Sequence, residues 1–157
     1  MKLGLVDTLS ALFRRNRPKA ASAEELVDPR IVAVALLVHA AQVDGLAGPR
    51  ERARLEALVA AELDVDPDEC ARLIAAAARV DADTGDVVDL ARRLTLTLDA
   101  GARRDLVTLM WDLASVDGDV HEFEEAIITR VGEVFDLTPD EIAGLRLSAE
   151  LERTTQG

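Results

Sequence analysis

Hydrophobic residues in this chain recur at helical intervals, and the polar residues between them are of the kinds that start and stop helices. Ile31 to Ala41, IVAVALLVHAA, is apolar on every side. It falls short of the ~18 residues a bilayer-spanning helix needs, so it predicts the central buried helix of a bundle. Asp28-Pro29 opens this first body helix, with Asp as cap and Pro at the first helical position, and Asp44-Gly45 closes it. Pro49 opens the next helix, to about Leu63. Asp66-Pro67-Asp68-Glu69 and Thr138-Pro139-Asp140-Glu141 place a Glu at the third helical position behind a cap, the capping-box arrangement. They start helices running to about Val80 and Leu151. Asp81 to Asp86 predicts a polar turn, Val87 to Leu98 a linking helix, Asp99 the cap of a helix to Val116, and His121 to Phe135 one more. No alternation with period two occurs, so no strand is expected. The expected class is all-α, a bundle of about seven body helices.

The pattern occurs twice. Leu36, Ala41, Val43, Asp44, Gly45, Glu51 and Ala53 match Leu109, Ala114, Val116, Asp117, Gly118, Glu124 and Ala126 at a constant offset of 73. Asp64-x-x-Pro67-Asp68-Glu69 then meets Asp136-x-x-Pro139-Asp140-Glu141 at an offset of 72, one residue having been lost between the two landmarks. Such self-similarity marks an internal duplication and predicts two halves related by an approximate two-fold axis. The duplication leaves out the start of the chain. There Leu5, Val6, Leu9, Leu12 and Phe13 form one helical face, followed by Arg14, Arg15, Arg17 and Lys19. The basic residues follow the apolar ones and no cleavage-site pattern closes the run, so it is not a secretory signal. Two readings stand: a basic amphipathic helix that touches an anionic membrane or a partner through residues 1–20, or a terminal helix packed on its own domain. The expected organisation is an amphipathic segment and basic linker over 1–23, a helical domain over 24–151 and a loose tail over 152–157. The first segment is expected to be dispensable for folding.

Composition sharpens this picture. Aromatic residues make up 3% of the 157-residue chain and Tyr is absent, so Ala, Leu, Val and Ile must fill the core. These small or straight side chains suit closely packed helices. The net charge is −12, but residues 1–20 hold five Lys or Arg against one Asp, which leaves −16 on the remainder. An acidic body of this kind repels nucleic acid and suits hard cations or a basic protein partner. Cys70 is the single cysteine; it can form no intrachain disulfide, and a cytoplasmic setting is expected.

The repeated Asp-Gly-x-x-x-x-x-Glu is the element that points to chemistry. Each Glu falls in the first turn of a helix, where unpaired backbone donors and the helix dipole favour a carboxylate. The spacing is that of the second half of a calcium-binding EF-hand loop. The first half is missing, because Ala40 and Gln42 in one copy, and Leu113 and Ser115 in the other, stand where oxygen ligands would be needed. Water or carboxylates from the sister loop would have to complete the shell of a Ca²⁺, Mg²⁺ or Mn²⁺ ion. The competing reading is that the carboxylates hold tight turns together by accepting backbone hydrogen bonds, with no ion.

A duplicated Asp-Gly-x-x-x-x-x-Glu between helices, with the second copy followed by Leu-Thr-Pro-Asp-Glu, resembles the TerB family of tellurite-resistance-related proteins over roughly residues 28–151. The resemblance implies an all-helical domain with internal pseudo-two-fold symmetry, acidic residues proposed to bind divalent metal, and a role in a tellurite or stress response alongside a membrane protein. Carried across, the family's acidic positions fall on Asp44, Glu51, Asp117 and Glu124. The first loop departs from the pattern, since Leu46-Ala47-Gly48-Pro49 carries none of the additional acids Asp119, Glu122 and Glu125. The expected metal residues are therefore Asp44, Glu51, Asp117, Asp119 and Glu124, with the second loop the stronger site and His121 close to it.

Nothing in the chain suggests catalysis. His39 sits on the most apolar helix and reads as a satisfied core or boundary residue. Ser10, Ser22, Ser115 and Ser148 have no nucleophile elbow, and Gly101 stands alone rather than in a phosphate-binding loop. Trp111 reads as a core or interface residue. The expected function is a non-catalytic module that binds a divalent cation, with an adaptor docking a basic partner through its acidic face as the alternative.

Overall fold

The computed structural model describes residues 28–42, 49–84, 86–115, 120 and 122–156. Among these lie seven helices: α1 (Pro29–Gln42), α2 (Pro49–Leu63), α3 (Pro67–Thr84), α4 (Val87–Thr95), α5 (Ala100–Ala114), α6 (Glu122–Val134) and α7 (Pro139–Gln156), and no strand. The all-α expectation is met. The amphipathic segment over 1–23 lies outside the described residues.

Helix starts follow the cap chemistry. Four helices open on Pro, whose missing N–H is no loss at a position where it would find no intrahelical partner. Asp28 accepts from Arg30 N at 2.9 Å, Asp86 from Val88 N at 2.9 Å and Asp99 from Ala102 N at 2.8 Å. At α7 the capping box is reciprocal: Thr138 Oγ1 accepts from Glu141 N at 3.1 Å, and Glu141 Oε1 accepts from Thr138 N at 3.2 Å. At α3 only half of it forms. Asp66 accepts from Glu69 N at 2.8 Å, while the Glu69 carboxylate pairs with Arg72.

The ends of α2 and α6 share one device. Asp64 (φ 51°) and Asp136 (φ 63°) are the two non-glycine residues of positive φ among the described residues. Val65 N then bonds Ala60 O at 3.2 Å, and Leu137 N bonds Gly132 O at 2.9 Å. This is the Schellman closure, with Asp in the left-handed position that Gly more often takes.

Helix α1 is the central element. Val32 to Val38 are each no more than 4% exposed, and the helix packs against α2, α3, α4, α5 and α6. The most extensive pairings are α1 with α3 and α5 with α7; α1–α2 corresponds likewise to α5–α6, and α2–α3 to α6–α7. Helix α4 links the two triplets and packs on α1, α3 and α6 through buried Leu90, Ala91 and Leu94. Phe135, Leu36, Leu106 and Met110 are among the largest side chains sealed in the core.

Three boundaries differ from expectation by three residues or more. Helix α4 ends at Thr95 rather than Leu98, the chain turning over Leu96 to Leu98 to reach the Asp99 cap of α5. Helix α3 continues through Asp81 to Thr84, because Asp81 finds a partner in His39 of α1, its Oδ1 lying 2.6 Å from His39 Nδ1. Helix α7 runs past Leu151 to Gln156, a stretch with neither Gly nor Pro to end it.

Candidate functional site

The candidate site is the entrance to α6. Helix α5 delivers the chain to it through Ser115, 1% exposed, whose hydroxyl donates to Trp111 O at 2.6 Å and whose N–H also bonds that carbonyl at 3.0 Å. The hydroxyl proton is thus spent closing the last turn of α5. On the far side, Glu122, Glu124 and Glu125 stand in the first turn of α6. Three carboxylates there are favoured by the positive end of the helix dipole and oppose one another by like charge. Glu122 and Glu125 face water, but Glu124 is 5% exposed. Taking a carboxylate out of water is costly unless hydrogen-bond donors or a cation compensate it.

Of the residues expected to ligate metal, Asp44, Asp117 and Asp119 lie outside the described residues, as do His121 and the side chain of Glu51. Glu51 holds the third position of α2 and Glu124 the third position of α6, so the offset seen in the sequence is kept in the helix register. Among the described residues no group of three or more His, Cys, Asp or Glu side chains is placed to hold a metal ion.

Arg146 of α7 flanks the site. Its guanidinium carbon lies 5.0 Å from the centroid of the Trp111 ring, with Glu125 at 3.5 Å and Glu150 at 3.4 Å. Trp111 itself is 2% exposed and belongs to the core. Two further charged contacts tie the helices below. Arg54 of α2 donates to the buried Asp112 of α5 at 2.6 Å, and Arg104 of α5 bonds Glu141 of α7 at 2.7 Å. The Thr138 backbone and hydroxyl, then Arg104, hold the Glu141 carboxyl below its ordinary range.

The Arg54–Asp112 pair escaped the sequence reading, although a signal was present. Asp112 and His39 occupy equivalent places at the offset of 73, so α1 and α5 each carry a titratable residue at the same point near the helix end. His39 has the character expected, a boundary histidine bonded to Asp81. Cys70 is buried and its thiol lies 3.4 Å from Glu56 O; burial, then the nearby Glu56 charge, raises its pKa, which suits a small core residue rather than a nucleophile.

Two corresponding helix triplets, each with a Glu at the third position of its second helix, define an all-helical module. The sequence profile of the tellurite resistance protein TerB matches residues 30–147, well over half of the chain, and the chain belongs to that family. It is thereby a tellurite-resistance-related module. No curated protein and no solved structure matches the chain. No described helix is long and apolar enough to cross a membrane.

Proposed function

We propose that this chain is a non-catalytic, cytoplasmic cation-binding module of a tellurite or related stress response, with its stronger site at the second acidic loop. The observation that carries this reading is the burial of Glu124 at the head of α6, seven residues after Asp117 and close in sequence to Asp119. A hard divalent ion, Ca²⁺, Mg²⁺ or Mn²⁺, would take an oxygen from that carboxylate and further oxygens from Asp117, Asp119 and water. Asp44 and Glu51 would form the weaker counterpart. Half an EF-type loop is under-coordinated, so affinity in the range of about 10⁻⁴ to 10⁻³ M is expected.

The test is thermal unfolding of chelator-treated protein with and without each ion. At 100 times its dissociation constant an ion that binds only the folded state adds about 2.7 kcal/mol. Calorimetry on Asp117→Asn with Glu124→Gln is expected to show lost binding, and on Asp44→Asn with Glu51→Gln a smaller loss. Absence of heat with every divalent ion, or binding that survives the first pair, would leave the loop carboxylates as turn-holding groups on a surface that docks a basic partner.

A further inference from the structure

We propose that the outer face of α7 is a contact surface for a second copy of this chain, the two α7 helices packing antiparallel about a two-fold axis between Leu147 and Ser148. Helix α7 turns Ile142 and Ala149 into the core. Its opposite side presents Ala143, Gly144, Leu147 and Leu151, all exposed. The two leucines, 57% and 60% exposed, stand one turn apart on that side and form a continuous apolar ridge rather than scattered single residues.

Helix α3 shows what this place in the fold carries when it faces water. At the offset of 72, Cys70 and Ala77 of α3 are buried as Ile142 and Ala149 of α7 are, so the two helices present equivalent sides to the core. The outward residues of α3 in the same register are Ala71, Arg72, Ala75 and Arg79, all exposed. Two arginines suit a solvated face. On α7 their places are taken by Gly144 and Leu151, and that of Ala75 by Leu147. Packing within the chain does not account for these residues, because none of them is covered by it.

Shape and charge select a second copy as the occupant. Gly144 and Leu151 lie two turns apart on one side, about 10 Å along the axis. In an antiparallel pair centred between Leu147 and Ser148, Leu151 of each copy falls opposite Gly144 of the other. A Cβ at Gly144 would meet nothing within 4 Å, so the notch that receives the leucine is open. The face is thereby complementary to itself, as a two-fold contact requires. The net charge of −12 opposes association of two copies, but none of the four outward residues is charged. At one border stand Arg146 and Glu150, 3.4 Å apart; antiparallel packing sets the Glu150 flank of one copy beside the Arg146 flank of the other, so opposite charges meet there. One helix pair is smaller than the ~1,200–2,000 Å² of a standard interface. The dimer is therefore expected to be weak, with Kd above about 1 μM, and to tighten with salt, which screens repulsion between the acidic bodies. The proposal is independent of cation binding.

Sedimentation equilibrium of the full chain from micromolar to millimolar concentration, at low and high salt, tests it. A reversible monomer–dimer equilibrium is expected. Leu147→Ala with Leu151→Arg gives α7 the residues of α3 at these two positions and is expected to leave monomer at every concentration, with the melting transition of the dilute protein unchanged. Gly144→Leu is the discriminating variant: it adds apolar surface but fills the notch, and is expected to weaken the dimer at least about tenfold. A full chain that stays monomeric at high concentration and high salt would overturn the proposal, as would a dimer that survives Leu147→Ala with Leu151→Arg. A dimer that Gly144→Leu tightens would also overturn it, since general apolar adhesion rather than a fitted pair would then join the copies. Binding of the monomeric chain to anionic phospholipid vesicles, lost in the double variant, would assign the face to a membrane surface instead.

Discussion

Replacing Arg54 with Met tests whether the contact between α2 and α5 rests on a desolvated charge pair. The Asp112 side chain is 12% exposed and accepts from Arg54 Nη2 at 2.6 Å, while the Arg54 side chain is 37% exposed. Removing one partner of a fully buried pair costs about 3–5 kcal/mol, because the other charge is left without compensation. Here water reaches the arginine end, which screens the pair and lets it enter beside Asp112 once the guanidinium is gone. The expected loss is therefore smaller, about 2 kcal/mol, close to the ~1.5–3 kcal/mol of a charged hydrogen bond. In a domain of this size that corresponds to a melting temperature lower by about 4–8 °C. Asp112→Leu is expected to cost less, about 1 kcal/mol, since Arg54 can extend into solvent. The double substitution is expected to cost less than the two singles together, with a coupling of about 1 kcal/mol. Urea unfolding of the four proteins at low and high salt gives each value. A coupling near zero, or a single-site loss from Arg54→Met under about 0.5 kcal/mol, would show that the pair behaves as an exposed one and that apolar packing alone joins the halves.

Three further outcomes follow from close contacts and caps. A Cβ at Gly132 would lie 2.6 Å from Ile142 Cδ1 and 2.7 Å from Cγ1, and Ile142 is 3% exposed; Gly132→Ala is expected to lose about 1 kcal/mol net, overpacking of about 1–3 kcal/mol exceeding the ~1 kcal/mol gain in helix propensity. Adding Ile142→Ala is expected to cost less than the sum of the single changes, and additive losses in urea would refute the steric account. Asp136→Gly, at φ 63°, is expected to be neutral or to stabilise by up to about 0.5 kcal/mol, relief of left-handed strain offsetting the entropy of Gly; a clear loss in urea unfolding would show that the Asp side chain itself holds the turn. Glu141 has its folded pKa lowered from the ordinary 4.5, first by the Thr138 backbone and side-chain hydrogen bonds and then by Arg104. Its contribution is present above the unfolded pKa and is lost as pH falls through the folded one. Glu141→Gln is expected to flatten the fall in melting temperature below pH 4.5, and an unchanged acid limb would refute that assignment.

The local features of this fold were legible because they are local. Pro29, Pro49, Pro67 and Pro139, with Asp28, Asp66, Asp86, Asp99 and Thr138 as caps, mark helix starts through contacts spanning three residues or fewer, and the structure places the starts there. The apolar run from Ile31 identified the central helix, since a helix without a polar face must be covered on all sides. The family was legible too, in the repeated Val-Asp-Gly and Asp-x-x-Pro-Asp-Glu. Tertiary structure decided what depends on neighbours distant in the chain. Asp81 became the last turn of α3 rather than a turn because His39, 42 residues earlier, supplies its partner. Asp112 became an internal charge because Arg54 arrives from α2. Among the three acids that open α6, only Glu124 is withdrawn from water, and spacing could not single it out. Which side of a helix is covered is settled by the packing of the others around it. Propensity and capping act within one turn, whereas burial and ion pairing exist only once the helices have assembled.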